Sequence, residues 1–337
     1  MLHIHGGSNL LDNLRAAGLP GAFLEWSESL CDGPTPAGLA RDAWRATRAT
    51  FLDSAYGRID GRGALEQLVA QDWDLDRAAG AEDEIVLWFG PDLFCQAILA
   101  ALLDRFAAAP PAGRLSLVCI GTYPGVDDRR SCTPSFLSAD QLREVFPRRD
   151  AVRPHQLALA REIWSAWCAP TPEPLGALAG RDTSALPYLG DGVRRRLEEF
   201  PWTGTGLSRT ERAVLVALAA AERSFIQLFE EVAQEEERSW VTDAMLLHRL
   251  RVLATAPTPL VAADAEPPPV DVLAADPPRD VRRLRFRLTD AGQEVLDGKR
   301  DAVATNGIDT WIGGVHLTRE QLWRWNAGAR RLEPGSA

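Results

Sequence analysis

The stretch HIHGGSNLLDNL (3–14) opens with residues that could bind a ligand or take part in a reaction. A short apolar segment precedes the glycines and an amphipathic pattern follows them, which places Gly6, Gly7 and Ser8 in a turn between a strand and a helix. The free backbone N–H groups of such a turn suit an anion, and a serine hydroxyl adds a donor. We interpret this turn as one wall of a small-anion site. A plain strand-to-helix turn is the alternative.

The same residues also allow a reaction. His5, at the strand end, is a candidate acid or base, and Ser8 is a candidate nucleophile beside it. Asp92 is the third catalytic candidate, although a carboxylate at the start of a helix also serves as its N-cap. His3 and His5 make at most half of a metal site, so no metal is predicted. The sequence leaves the cofactor unknown.

Two later glycine-containing loops are predicted to complete the same pocket. One follows EIVLW and includes Gly90 and Asp92, and the other follows RLSLVCI and begins with Gly121. Ligands of open parallel sheets bind beyond the carboxyl ends of the strands, where these loops lie. Neither G-x-G-x-x-G nor the Walker pattern with its lysine is present. The prediction of an anionic ligand therefore depends only on the glycine turns and their position at the strand ends. The predicted ligand-binding residues are Gly6, Gly7, Ser8, Gly90, Asp92, Gln96, Gly121 and Thr122.

These loops need a sheet to position them, and the first part of the chain predicts one. LHIHG (2–6), EIVLWFG (84–90) and RLSLVCIG (114–121) are typical of buried parallel strands, and helical patterns separate them. We expect an α/β fold with a parallel-sheet, Rossmann-like domain over 1–147. Helical, proline-punctuated sequence over 148–205 predicts a bridge.

The pattern changes after the bridge. Three helices, the first with a capping box from Ser208 to Glu211, precede a strand pair. This is the order of a winged helix-turn-helix, and it predicts a winged-helix-like domain over 206–300. The remaining segment, 301–337, is expected to dock back onto the rest, with NGIDTWIGGVHL (306–317) packed at the joint.

The second domain holds the one concentrated basic stretch of the chain. If a strand spans 282–287, Arg283, Arg285 and Arg287 share one face and could meet phosphates. Acidic residues nevertheless outnumber basic ones across this domain, which favours contacts to protein or within the chain over DNA. The candidate nucleic-acid or partner contacts are Arg249, Arg251, Arg282, Arg283, Arg285 and Arg287.

Composition limits the classes of partner. The 337 residues carry a formal charge of −10, and such a field repels nucleic acid and anionic membranes unless a local basic patch intervenes. No segment approaches the roughly 20 apolar residues that span a bilayer, and no secretion signal is evident. The five cysteines form no CxxC, which favours reduced thiols in a cytoplasmic protein. Cys95 is interpreted as a buried filler.

A series of segments resembles one family. HIHGGSNLLDNLRAAGLPG, EWSESLCDGP, IVLWFGPDLFCQAILAALL, LSLVCIG, LPYL with RRLEEFPW, GLSRTERAVL and NGIDTWIGGVHL follow one another in this order. Together they resemble an uncharacterised bacterial family catalogued as domain of unknown function 1835. The resemblance runs over nearly the whole chain; each motif is modest, whereas the series is specific. It implies no particular reaction.

The departures from the family pattern concern its acidic residues. The first loop of the family resembles N-G-D-S, and here Gly7 stands at the position of its acid. Gly90 and Pro91 replace an E-H pair, and Cys95 replaces a later acid. Asp92 matches, as does the glutamine four residues further on, on the same face of the predicted helix. If the family's acids perform chemistry, this chain has lost part of it, or it uses Cys95 differently.

The sequence is compatible with three functions. The first is a cytoplasmic protein that binds a small anionic or nucleotide-like ligand in its α/β domain and couples it to the winged helix, in a regulatory or interaction role. The second is an enzyme, a hydrolase or transferase acting on a phosphorylated small molecule, with His5, Ser8 and Asp92 at its site. The third is a structural interaction protein.

Overall fold

The computed structural model describes residues 1–26, 28–57, 63–126, 132–238, 240–268 and 279–336. The first 151 residues contain six strands: β1 (Leu2–His5), β2 (Ala22–Glu25), β3 (Gly33–Pro34), β4 (Glu84–Phe89), β5 (Arg114–Cys119) and β6 (Asp150–Ala151). The helices up to the end of the bridge are α1 (Ser8–Ala16), α2 (Arg41–Ala55), α3 (Ala64–Ala81), α4 (Leu93–Ala108), α5 (Ala139–Val145), α6 (Pro154–Trp167), α7 (Glu173–Leu178) and α8 (Leu189–Leu197).

Five of these strands form one sheet in the order β2-β1-β4-β5-β6, parallel except for β6. All six residues of β4 are buried, as its unbroken apolar run predicts for a parallel strand covered on both faces. Ile85, Leu87 and Phe89 pack on the α4 side, whereas Val86 and Trp88 pack on the α1 side. The predicted α/β fold with a largely parallel sheet is confirmed.

The strand order reverses between β1 and β4. The chain leaves β1 through α1, which covers one face of the sheet, and returns as β2 on one side of β1. On the other side lies β4, which continues into α4 on the opposite face. The connecting loops diverge at such a reversal and leave a crevice outside the carboxyl ends of the strands. His5 and Phe89, the last residues of the two strands, border this crevice.

The second half of the chain adds a smaller sheet and its own core. Its elements are α9 (Arg209–Ala220), β7 (Arg223–Ser224), α10 (Phe225–Gln234), α11 (Asp243–Thr255), β8 (Val261–Ala263), α12 (Arg279–Arg283), β9 (Arg285–Leu288), α13 (Asp290–Leu296), α14 (Ala302–Asn306), β10 (Thr310–Gly313), β11 (Val315–Leu317), β12 (Trp323–Asn326) and β13 (Arg331–Pro334). Strands β7, β9 and β8 form an antiparallel sheet, and α9 to α11 pack with it around Phe225, Leu250 and Phe286. We call α9 to α13 with this sheet the C-terminal module. The predicted capping box of Ser208 and Glu211 is confirmed.

The basic stretch does not form one continuous strand, so the prediction of a strand over 282–287 is wrong at its start. Residues up to Arg283 belong to α12, and β9 begins at Arg285. The cause is a helical turn closed by the Leu284 N–H on the Val281 carbonyl, which buries the Val281 side chain in the module core. Arg285 and Arg287 alternate with the buried Phe286 and share the exposed face.

Helix α11 lies between the two halves of the molecule. Its leucines fill the module core, whereas Met245 packs in the α/β core and lies 3.7 Å from the Cys31 sulfur. Arg249 pairs with the buried Asp32 at 3.4 Å, and Arg251 donates to backbone carbonyls at the end of α2 at 2.9 Å. Both arginines, which were predicted as nucleic-acid or partner contacts, bind groups of the α/β half in the structure.

The C-terminal segment returns to the first half. Strand β10 pairs in parallel with β3, and the Thr35 N–H donates to the Gly313 carbonyl at 2.8 Å. The Gly314 N–H donates to the Trp167 carbonyl at 2.9 Å, so the paired glycines lie directly against the end of α6. A Cβ on Gly314 would stand 1.9 Å from the Cys168 carbonyl oxygen, and glycine is required there by this close approach.

None of the helices in the described ranges is both long and apolar enough to cross a membrane.

Candidate functional site

The first loop turns immediately after β1. Gly7 precedes α1 with a φ of 79°, a conformation that favours glycine, and open space surrounds the position of its missing Cβ. The Nδ1 atom of His5 lies 3.2 Å from the Gly7 carbonyl oxygen. Because a carbonyl only accepts, Nδ1 carries the hydrogen and Nε2 keeps its lone pair. Ser8 is the first residue of α1, and its side chain lies outside the described part of the structure.

His5 is a buried neutral base. Burial lowers the pKa of its imidazole to about 4, so the ring is uncharged near neutral pH. Its Nε2 is buried and has no hydrogen-bond partner among the described residues.

His3 differs from His5 although both occupy β1. The Trp88 indole donates to His3 Nδ1 at 2.9 Å, and His3 Nε2 therefore donates to the Pro20 carbonyl at 3.0 Å. The ring also stacks on Phe23 with 5.0 Å between the centroids. Both ring nitrogens are used within the fold, so His3 is a structural residue. Among the described residues, no three His, Cys, Asp or Glu side chains are grouped as a metal site requires.

The second loop meets the first at the start of α4. Asp92 caps this helix, accepting the Cys95 N–H on Oδ1 at 2.8 Å, and burial raises the pKa of its carboxyl. A Cβ on Gly6 would stand 3.6 Å from the Cys95 sulfur. A Cβ on Gly90 would stand 2.8 Å from Asp92 Oδ2 and 3.0 Å from the Thr133 Cβ. A side chain at position 90 would therefore require Asp92 or Thr133 to shift.

Two side chains on the first turns of α4 face this junction. Gln96 Nε2 donates to the Gly90 carbonyl at 2.6 Å and lies 3.7 Å from the Cys119 sulfur, at the end of β5. Gln96 Oε1 is buried and has no partner within the described ranges. Burial, followed by the Asp92 charge, raises the pKa of the Cys95 thiol well above its usual value. That environment opposes a thiolate and is consistent with a filler role.

The third loop is covered by residues that the sequence analysis missed. The Tyr188 ring lies over Gly121, where an added Cβ would stand 2.6 Å from ring atoms. The guanidinium of Arg238 lies 4.8 Å from the centroid of that ring. Arg238 follows α10, so the C-terminal module contributes a cation to the edge of the α/β sheet. Thr122 is exposed and lies outside these contacts.

Three buried polar atoms at this edge therefore have no hydrogen-bond partner among the described residues. They are the acceptor atoms His5 Nε2 and Gln96 Oε1 and the donor atom Arg238 Nη1. Gly6 lies near Cys95, Gln96 lies near Cys119, and Tyr188 lies against both Gly121 and Arg238, so the three atoms belong to one edge. Tyr188 occurs in the LPYL motif, but no local pattern in the sequence distinguishes Arg238 from the other arginines. We call this set the edge site.

The remaining basic candidates lie elsewhere. Arg282, Arg283 and Arg285 line an open cleft of about 460 Å³ with Ser224 at the start of α10. Arg285 also pairs with Glu222, which reduces the local positive charge. The structure does not bring these residues to the edge site.

No protein-family model matches the chain, and no curated protein matches it either. The resemblance to domain of unknown function 1835 stays a prediction.

Proposed function

We propose that the chain binds a small anionic, nucleotide-like ligand at the edge site and couples its presence to the C-terminal module. One observation carries the proposal: Arg238 presents a buried Nη1 with no partner in the described part of the chain. A buried donor on a cation is costly unless an acceptor meets it, and an anionic group is the strongest acceptor for a guanidinium. Its position beyond the carboxyl ends of parallel strands agrees with where such sheets bind ligands.

The other groups at the edge favour a ligand with donors as well as an anion. His5 Nε2 and Gln96 Oε1 both accept hydrogen bonds, and a hydroxyl or amino group would satisfy them. The loop at Gly7 leaves open space and backbone N–H groups beside His5. Nucleotides and phosphorylated metabolites combine these features.

The order of α9, α10, α11, β8 and β9 is that of a winged helix, and we propose this description for the C-terminal module. The arginines of its third helix contact the α/β half. This favours a module that contacts the rest of the chain or a protein partner over one that binds DNA. Because Arg238 lies between α10 and α11, ligand binding there would change how firmly α11 is held.

Native mass spectrometry of the gently purified full chain, followed by denaturing release, tests this proposal. We expect a bound nucleotide or phosphorylated metabolite in the wild-type protein, loss of it in Arg238→Met, and retention in the matched surface variant Arg283→Met. If the protein is isolated without a ligand, thermal unfolding with ATP, AMP and inorganic phosphate replaces the first measurement. The absence of stabilisation by all three, or equal stabilisation of Arg238→Met, contradicts the proposal.

A second candidate function rests on His5. A neutral imidazole with an unpartnered Nε2 beside a ligand can accept a proton, which supports a hydrolase or transferase acting on a phosphorylated small molecule. His5→Asn retains a donor toward the Gly7 carbonyl and removes the base. Turnover that disappears in this variant while ligand binding persists would favour the enzyme; binding without turnover in the wild type would favour the sensor.

A further inference from the structure

A cavity lies away from the edge site, on the α4 face of the sheet. It encloses about 350 Å³ between the α2–α3 hairpin and helices α4 and α6. That volume falls within the roughly 300–1,000 Å³ of small-molecule pockets. Trp26, Trp44 and Trp164 line it together with Leu68 and Leu102. No residue of this lining belongs to the edge site.

Most charges around the cavity neutralise one another. Arg45 Nε donates to Asp72 Oδ2 at 2.6 Å, and Arg105 pairs with both Asp72 and Asp76. Arg41 also reaches Asp76, at 2.8 Å. The buried glutamate of the lining, Glu28, is held at 2.7 Å by the buried Arg48. These arginines are therefore poorly placed to attract an anionic ligand.

Asp104 and the Trp26 indole are the polar groups of the lining on which a ligand preference depends. Asp104 has no hydrogen bond or ion pair within the described ranges, and Arg161 influences it only from a distance. The Trp26 side chain is 5% exposed, and its indole N–H is buried and has no partner in the described part of the chain. The cavity thus combines three indoles, one carboxylate without a cation in contact and one buried donor.

We propose that this cavity binds an organic ammonium ion with an apolar or aromatic body. Asp104 is the counter-ion, and the tryptophan side chains pack against the body and attract the cation through their ring faces. The Trp26 N–H donates to an acceptor of the ligand where one is present. A carboxylate or phosphate ligand would instead meet Asp104 as a like charge.

Isothermal titration of the full chain with benzyltrimethylammonium tests the proposal, and benzenesulfonate serves as the anionic comparison. We expect the cation to bind and the anion not to bind. Asp104→Asn should weaken the cation's affinity by about tenfold, and Trp44→Leu by about threefold. Asp104→Glu keeps the charge and should restore most of the affinity. Asp140→Asn, an exposed aspartate on α5, is the matched control and should bind as the wild type does.

The failure of benzyltrimethylammonium to bind the wild-type chain would overturn the proposal. Unchanged affinity in Asp104→Asn, or equal binding of benzenesulfonate, would overturn it as well. Circular dichroism of each variant separates loss of the site from loss of the fold. Arg238→Met should leave the titration unchanged, because its residue belongs to the edge site; the outcome therefore does not depend on the proposed function.

Discussion

At the scale of single residues, hydrogen bonding separates the two histidines of β1. His3 uses both ring nitrogens within the fold, whereas His5 uses only Nδ1, and its Nε2 has no partner among the described residues. Both side chains are fully buried, so exposure alone does not distinguish them. The two histidines differ because the Trp88 indole donates to the accepting nitrogen of His3, whereas no described residue donates to the accepting nitrogen of His5.

Burial of His5 predicts a loss of stability in mild acid. Its pKa falls from 6.5 to about 4 in the folded chain, so the unfolded chain binds the proton first. Between these values the unfolded state holds more protons, and the free energy of unfolding decreases as the pH is lowered through that window. We expect His5 to contribute about 1–3 kcal/mol to this decrease. Urea unfolding at about pH 7.5 and about pH 4.5, roughly the two ends of this window, measures the decrease.

The variant His5→Asn isolates that contribution. It should show a smaller difference in unfolding free energy between the two pH values than the wild type, because the titrating ring is gone while the donor to Gly7 remains. His155→Asn, on the exposed surface of α6, should keep the wild-type difference. An equal pH response in His5→Asn would mean that other groups, such as the half-buried His248, account for the effect.

At the scale of elements, the start of α4 serves both the fold and the edge site. Asp92 satisfies a backbone N–H of the first turn, and the same carboxylate lies beside Gly90 at the crevice. A cap requires only an acceptor, whereas a role toward a ligand depends on the charge. The two roles can therefore be separated by substitution.

Asp92→Ala should lower the free energy of unfolding by about 1 kcal/mol, because the Cys95 N–H loses its acceptor. Asp92→Asn should remain close to the wild type in stability, since asparagine caps as well as aspartate. Chemical denaturation measures both, with Ser208→Ala on α9 as a capping control of similar expected size. If Asp92→Asn retains stability but loses ligand stabilisation, the charge acts at the site; if both persist, Asp92 is only a cap.

The contact between β10 and the end of α6 gives a second prediction at this scale. Gly314→Ala should destabilise the chain by about 1–3 kcal/mol, because its Cβ would overlap the Cys168 carbonyl. Gly328→Ala is the matched control, since its Cβ would meet only the Asn326 side chain, at 3.6 Å. Urea midpoints compare the two variants. Equal midpoints would show that the segment shifts without cost.

At the scale of the whole molecule, α11 couples the two halves through charges buried between them. Asp32 accepts from Arg249 and from the Tyr56 hydroxyl, and Arg196 donates to the neighbouring Cys31 carbonyl. Together the arginines keep the pKa of the Asp32 carboxyl below its usual value against the effect of burial. A buried ion pair contributes little net stability, but removing one partner leaves the other uncompensated.

Arg249→Met should therefore lower the free energy of unfolding by about 3–5 kcal/mol and loosen α11. Hydrogen exchange should accelerate in α11 and around Asp32, and Asp32→Asn combined with Arg249→Met should recover part of the loss. The exposed Arg287→Met is the control, and we expect it to exchange as the wild type does. Unchanged protection of α11 in Arg249→Met would show that apolar packing alone holds the helix.

Local features of the chain could be predicted from neighbouring residues. Unbroken apolar runs identified β4 and β5, helix-start signals identified the caps at Asp92 and Ser208, and strand-end glycines placed Gly6 and Gly90 at one edge. These features could be predicted because each depends on residues close together in the chain, whose periodicity and capping chemistry are local. The same reasoning failed where a tertiary contact outweighed the local pattern, as at the turn closed by Val281.

Two features depend on long-range packing: the position of Arg238 in the edge site and the partners of the α11 arginines. Arg238 reaches Tyr188 and the end of β5 because the C-terminal module docks on the α/β half. Arg249 likewise meets Asp32 across 217 positions of sequence. Such pairs depend on how two separately cored units pack, which no local period encodes. For that reason the arginines of α11 bind groups of the α/β half, and an arginine without any local signal belongs to the edge site.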